Sequence, residues 1–475
     1  MNVLEGSLIR FSYAFAFDGA SFDARRLQVD RASWPEHRGL WESQPFATDD
    51  FLPQAARYLD RDAAIPTGAL WQLGSAPLQS VSGLGGGRKI PQANWYLRVR
   101  KRELPFELVN VRLALFRVGM GFLTFTAQPT GNEIGQGHDF LSFFRFTRGQ
   151  RGIGIGARRA VPQGADLTQK EAIPFFPEMA GGTTRHRDGT GVTDDLIAGL
   201  MRTAQCDEDA AQWWRDVFVP GQLIPYAAFL VDDVSPEDIA ALVYRTRNFF
   251  HQRQEIRPGA DELSGDWLQP YVKDQWFTFS LEGGTFVAAN PPQTEFFRHT
   301  LPDLLRRAYF TLFLLAMHQR AAFTEFNDRI AQHWLTAKDE TTRRARDDAF
   351  ELLYEDILAF SARGQFAQVS QRQHHHQYYT HWHRTLQIDT LYQEVRDNVA
   401  SMHEHLQAQR TFRLEHRINM LAALLGAPGL VLSFLGINLY GITSEAEGLP
   451  WGSAALVAFG GGLLLGAAAL WLMRR

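Results

Sequence analysis

The chain has 475 residues, 45% hydrophobic and 21% charged, which is material for two or three domains with a sizeable core. Its 48 Lys and Arg stand against 52 Asp and Glu, so a net charge of -4 excludes the global basic field of a nucleic-acid binder. Cys206 is the single cysteine, which excludes an intramolecular disulfide and any multi-cysteine zinc or iron–sulfur site and fits a reducing compartment.

The chain starts Met-Asn-Val-Leu-Glu-Gly-Ser, and Glu5 and Arg10 interrupt any apolar core, so it does not read as a cleaved signal peptide. The N-terminal part is expected to face the cytoplasm. Alternating or continuous apolar runs at 8–17, 94–99, 106–116, 121–126, 223–231 and 276–281 predict strands, with Gly-, Pro- and Asp-rich stretches between them. Residues 195–203 and 236–249 have a helical pattern, so 1–300 is expected to be an α+β cytoplasmic domain. The Ser-Gly-Leu-Gly-Gly-Gly stretch at 82–87 predicts a flexible loop, and no internal repeat is visible.

From 301 to 418 the pattern changes to a helical stalk. Helices are predicted at 301–334 and 341–363. Leu391, Val395, Val399, Met402 and Leu406 then recur at three- and four-residue spacing, with no Pro or Gly between Gly364 and Gly426. This predicts one uninterrupted helix from about residue 380 into the apolar region that follows, on the order of 90 Å at 1.5 Å per residue.

The remainder, 419–475, is expected to be a two-helix membrane domain with spans near 419–439 and 453–473. Neither run contains a charged residue, and each matches the roughly 20 residues that cross a hydrocarbon core. Arg410, Arg413 and Arg417 precede the first run, Arg474 and Arg475 follow the second, and the loop between has no Lys or Arg. Both termini are therefore expected on the cytoplasmic side, with an external loop carrying Glu445 and Glu447. Gly462 and Gly466 have the small-xxx-small spacing that lets helices approach closely.

Pro428 lies mid-span, where the carbonyl it frees needs a protein or water partner, as a pore would supply. Gly436-Ile437-Asn438 follows, placing an amide side chain at the external mouth. This order of Pro428, Gly436-Ile437-Asn438, the Glu445/Glu447 loop, a last apolar helix and a basic end resembles the CorA family of divalent-cation channels. In that family a Gly-Met-Asn triplet closes the pore helix; here Ile437 replaces Met, and Leu435 stands where an aromatic is common. The resemblance covers roughly 380–475. It implies a homopentamer in the bacterial inner membrane, a CorA-like funnel whose pore is lined by the first span and gated by the cytoplasmic part, with Mg²⁺ or another divalent cation as cargo. Counting back from Asn438 at helical spacing gives Val431, Ala427, Leu424 and Met420 as candidate pore-lining or gate positions, against the alternative of ordinary helix contacts. Glu445 and Glu447 would concentrate cations.

Two clusters outside the membrane region invite a ligand. His374 and His381 share a helix face, but they are two turns apart, so a metal site competes with a solvated or interface-lining His-rich turn. Arg145, Arg148, Arg151, Arg158 and Arg159, interleaved with glycines, suit an anionic ligand but match neither a Walker loop nor a Rossmann fingerprint, and a solvated basic loop is the alternative. The second cluster leaves open another reading. Some CorA-like proteins encoded beside type III CRISPR systems resemble membrane effectors gated by a nucleotide second messenger, and the long N-terminal part would suit such a ligand. No nucleophile–base constellation or catalytic carboxylate pair stands out, so an enzyme is not expected.

Overall fold

A computed structural model describes residues 1–32, 39–74, 95–147, 153–157, 197, 200–201, 212–259, 262–335, 340–442, 460–461 and 464. The chain divides into two compact units, Met1–Val395 and Arg396–Arg475. The fold is mixed α+β with long helices, and the helices from 301 to 395 belong to the same unit as the sheet.

Among the described residues, the first unit is built on a 13-stranded sheet. Its strands are β1 (Asn2–Val3), β2 (Leu8–Phe17), β3 (Trp41–Gln44), β4 (Gly68–Leu73), β5 (Trp95–Val99), β6 (Arg102–Phe116), β7 (Met120–Pro129), β8 (Ile153–Ala157), β9 (Trp214–Asp216), β10 (Ile224–Asp232), β11 (Leu268–Val272), β12 (Gln275–Ser280) and β13 (Gly283–Ala289). The spatial order is β11-β12-β13-β10-β2-β7-β6-β4-β3, and β1, β5, β8 and β9 pair off this path. Neighbours are antiparallel except β10 and β13, which run parallel and so need the longer crossover that includes 239–247. The β6–β7 turn closes on Gly119 at φ +90°, where an added Cβ would stand 2.4 Å from the Phe17 carbonyl oxygen.

Every residue of β2 is buried, because helices cover both faces of the sheet. Its odd-numbered residues, Ile9 to Phe17, face the larger core under α1 (Phe22–Arg31), α3 (Ile134–Phe144) and α4 (Ile239–Arg247); α2 (Pro53–Leu59) lies between α1 and α3 in sequence. Phe11 stacks on Phe144 at 4.3 Å and meets Phe140 edge-on. Asp139 of α3, 1% exposed, ties that helix to β6 through Arg102 at 2.6 Å and accepts the Gln252 backbone N–H. The opposite face carries Tyr226, Phe277 and Phe279. It packs against a helical segment that includes two π turns, Phe296–Thr300 and Leu305–Tyr309, followed by α5 (Phe310–Leu335). After α6 (Glu340–Arg363), α7 (Gln373–Thr385) completes this layer, with Tyr378 and Trp382 against Phe277 and Phe279.

The uninterrupted stalk expected from about residue 380 is broken. Gln387 takes φ 53° after Leu386, ending α7, and α8 (Ile388–Ile442) begins beyond it. No Gly or Pro marks the break; burial of Leu386 and Ile388 on either side holds the left-handed residue in place. Within α8, Val395, Val399, Met402 and Leu406 are the buried residues of the predicted stripe. Among the described residues no helix is long and apolar enough to cross a membrane. The expected spans rest almost entirely on side chains outside the described residues.

Candidate functional site

The backbone of α8 runs through Pro428 and on to Ile442, so Gly436-Ile437-Asn438 stands about one turn before its end. The side chains of Leu424, Ala427, Val431, Gly436, Ile437 and Asn438 lie outside the described residues, as do Glu445 and Glu447 altogether. Met420 is described, and it is 37% exposed; Phe412, Leu414, Ile418 and Leu421 nearby are more exposed still.

Arg148, Arg151, Arg158 and Arg159 are likewise outside the described residues, while Arg145 is placed. Its guanidinium is paired with Glu282 and lies over the Phe146 ring at 4.4 Å and the Phe249 ring at 5.1 Å. Arg145 is buried and its charge is matched, which gives it a packing role between α3 and the β12–β13 turn.

The histidines of α7 face the aromatic layer. His374 meets the Tyr271 ring edge-on at 5.3 Å, and His381 stacks on Phe279 at 5.0 Å with 12° between planes. Burial lowers the pKa of His381. Among the described residues no group of three or more His, Cys, Asp or Glu side chains is placed to hold a metal ion.

A different polar group emerges on the face of the sheet under the Leu305–Tyr309 turn. Arg10 pairs in register with Thr126, Ser12 with Thr124, Thr126 with Asn110, Thr124 with Arg112 and Arg112 with Gln72. Directly opposed residues on antiparallel strands point to the same side, so these seven side chains form a polar floor across β2, β7, β6 and β4. A bulge makes this possible. The register shifts between Leu108 and Asn110, and Val109 is the extra residue. Phe106 and Leu108 before the bulge, and Val111, Leu113 and Leu115 after it, all reach the larger core; Asn110 and Arg112 are thereby turned to the other face.

Arg10 is 3% exposed and has no carboxylate partner among the described residues. Its Nε donates to Thr126 Oγ1 at 3.3 Å, its Nη1 donates to the Arg306 carbonyl at 2.7 Å, and the guanidinium lies 4.3 Å from the Phe310 ring centre. The π turn supplies the acceptors: Leu305 O accepts from Tyr226 Oη at 2.8 Å and Arg306 O accepts from Arg10. Burial, with Arg112 and Arg306 adding like charge, pushes the Arg10 pKa down to about 9. Arg112 is half-buried and its pKa is lowered too, first by burial and then by Arg307. Its Nε and the Asn110 Oδ1 are buried without a hydrogen bond among the described residues. Arg306 and Arg307 are exposed above the floor, and Arg307 reaches Asp303 at 3.7 Å and Asp49 at 4.0 Å. None of Arg10, Arg112, Arg306 or Arg307 stands out as a ligand-binding candidate in the sequence; the legible signal is the broken alternation in Phe-Glu-Leu-Val-Asn-Val-Arg-Leu at 106–113.

No family model matches the chain, and no curated protein matches it. Among solved structures, a similarity is found to the CorA magnesium transporter from Methanocaldococcus jannaschii, at 11% identity over 57% of this chain and 93% of that one, with a TM-score of 0.22. A TM-score this low carries neither the fold nor the function of one chain to the other.

Proposed function

We propose that the chain is a CorA-like divalent-cation channel of a bacterial inner membrane, with Mg²⁺ as the first candidate for its cargo. The observation that supports this most directly is the single helix Ile388–Ile442, which joins the charged amphipathic stretch to the uncharged run after Met420 and contains Gly436-Ile437-Asn438 in its last turns. A second uncharged run with a basic end fits a return crossing. In this reading five copies of α8 line the pore, Asn438 contributes a ring of amide oxygens, and the ring binds a hydrated cation through its water shell. The cytoplasmic unit then gates the pore.

Proteoliposome flux tests the reading. With Mg²⁺ outside, the wild-type chain is expected to conduct and Asn438→Ala to lose most of the flux while still inserting and assembling. Equal flux in both proteins would refute the role of Asn438, and no flux of Mg²⁺, Zn²⁺ or Co²⁺ in the wild type under any internal condition would refute the channel. Replacing Glu445 and Glu447 together with Gln is expected to reduce flux mainly at low ionic strength, because screening erases attraction between exposed charges beyond roughly 10 Å at 0.1 M salt. A reduction of the same size at every salt concentration would count against electrostatic concentration.

A further inference from the structure

We propose that the polar floor under the Leu305–Tyr309 turn is a binding site for the phosphoryl group of a small phosphorylated molecule, with Arg112 as its central donor. The inference is independent of the channel reading, because it concerns only the first unit. Arg10 and Arg112 share the floor, the Arg306 carbonyl sits on Arg10, and the exposed Arg306 and Arg307 side chains follow on the same turn; Arg10, Arg112 and Arg306 have no carboxylate partner among the described residues. Arg10 stays charged because two acceptors and the Phe310 ring compensate it, and the same contacts hold it in place. It therefore acts as a fixed positive charge behind the floor.

Arg112 differs from it. It is half-buried, so part of its guanidinium stays open to a ligand, while its Nε is shielded from solvent and has no hydrogen bond among the described residues. Charge-assisted hydrogen bonds from the open part of the guanidinium are the ones a phosphoryl oxygen would accept. The Thr126 hydroxyl on the same floor, having accepted from Arg10, still has its own proton to donate. Arg306 and Arg307 stand at the rim. The Arg307 pairs with Asp303 and Asp49 are long and largely exposed, so they are weak and exchangeable. Donors that approach from the floor and from the rim suit a tetrahedral dianion with several oxygens better than a flat carboxylate. The unmatched Asn110 Oδ1 beside Arg112 would accept a hydroxyl of the organic part of the ligand.

The test uses the full chain in detergent at low salt, with inorganic pyrophosphate as the probe and calorimetry as the readout. The wild type is expected to bind, with affinity falling as salt rises. Arg112→Gln is expected to bind about tenfold more weakly or worse, as loss of one charge-assisted hydrogen bond implies. Arg396→Gln, which removes an exposed cation that pairs with its neighbour Asp397, is expected to bind as the wild type does. If Arg112→Gln melts early, Arg306→Gln takes its place, since that side chain is exposed and has no side-chain partner among the described residues. Undiminished binding by a folded Arg112→Gln or Arg306→Gln protein would overturn the site, as would a wild type that ignores pyrophosphate. A parallel arm with vesicles containing phosphatidic acid separates the two sources of a phosphoryl group. Binding to vesicles without binding to pyrophosphate would overturn a small-molecule ligand.

Discussion

Acidification from about pH 7.5 to about pH 5 is expected to remove at least about 4 kcal/mol from the stability of the first unit, because two buried histidines must stay neutral for it to fold. His318 is 0% exposed and His138 is 4% exposed, and burial pushes both pKa values down to about 3, with Arg245 adding like charge at His138. Thr246 Oγ1 donates to the Leu242 carbonyl, so it can only accept from His138 Nε2, which fixes that tautomer and makes Nδ1 the proton acceptor. His318 stacks on Phe116 at 3.9 Å, and its Nε2 is 2.7 Å from Tyr58 Oη. The sign follows from linkage. A histidine whose folded pKa lies below its unfolded value near 6.5 contributes full stability above 6.5, and loses about 1.4 kcal/mol per pH unit below it until about 3. Two such rings over about one and a half units give about 4 kcal/mol. His375, His381 and His383 shift in the same direction and add to the loss. Urea midpoints measured at half-unit steps of pH would show the slope, and the His138→Gln/His318→Gln double variant should be much flatter over this window whatever its stability at neutral pH. An unchanged slope in that variant would place the acid sensitivity elsewhere.

The parts of this fold that were legible in the sequence are those where burial is periodic. The run predicted at 8–17 is β2 to the residue, since both of its faces are covered and nothing interrupts the pattern. The helical patterns at 341–363 and 236–249 correspond to α6 and α4 with small shifts at the ends, where capping and not periodicity decides. Helices α1 and α3 were not visible. Phe22–Arg31 has almost no apolar stripe, and Ile134–Phe144 carries Gly135 and Gly137 in its first turn, which locally argue against a helix; what holds each of them is the aromatic core beneath. The break at Gln387 was equally silent, because a left-handed Gln leaves no trace in composition. For the candidate sites the limits differ. The charge-free runs and the Pro428, Gly436-Ile437-Asn438 spacing are one-dimensional features and can be read directly. The polar floor needs four strands in register and one bulge, and strand pairing is not encoded in any single segment. The histidines of α7 leave a metal site and an interface-lining turn both open in the sequence, because composition shows ring nitrogens and hides the aromatic face on which His374 and His381 lie.

Trp382→Ala is expected to cost about 3–5 kcal/mol, the range for removing a fully buried large aromatic side chain. Trp382 is 0% exposed on α7, and its indole meets Phe279 at 5.0 Å and Phe313 at 4.9 Å, so one side chain joins β12, α5 and α7. The space cannot collapse cheaply. The sheet residue facing the indole is Gly284, which has no side chain to swing into the gap, and its strand is held in register by β10 and β12 on either side. The same contact works in reverse. A Cβ on Gly284 would stand 2.4 Å from Trp382 Cζ2 and 3.0 Å from the Thr278 carbonyl oxygen, so Gly284→Ala should overpack the site and cost about 1–3 kcal/mol. Because one ring is responsible for most of that clash, the two substitutions should not add: in Trp382→Ala, the further change Gly284→Ala should cost less than it does alone, by about 1 kcal/mol or more. Urea unfolding of the wild type, both single variants and the double variant closes the cycle. A loss below about 1 kcal/mol for Trp382→Ala, or strictly additive losses, would mean that α7 is held to the sheet mainly by its other contacts, with Tyr378 against Phe277 and Tyr309 as the next candidates.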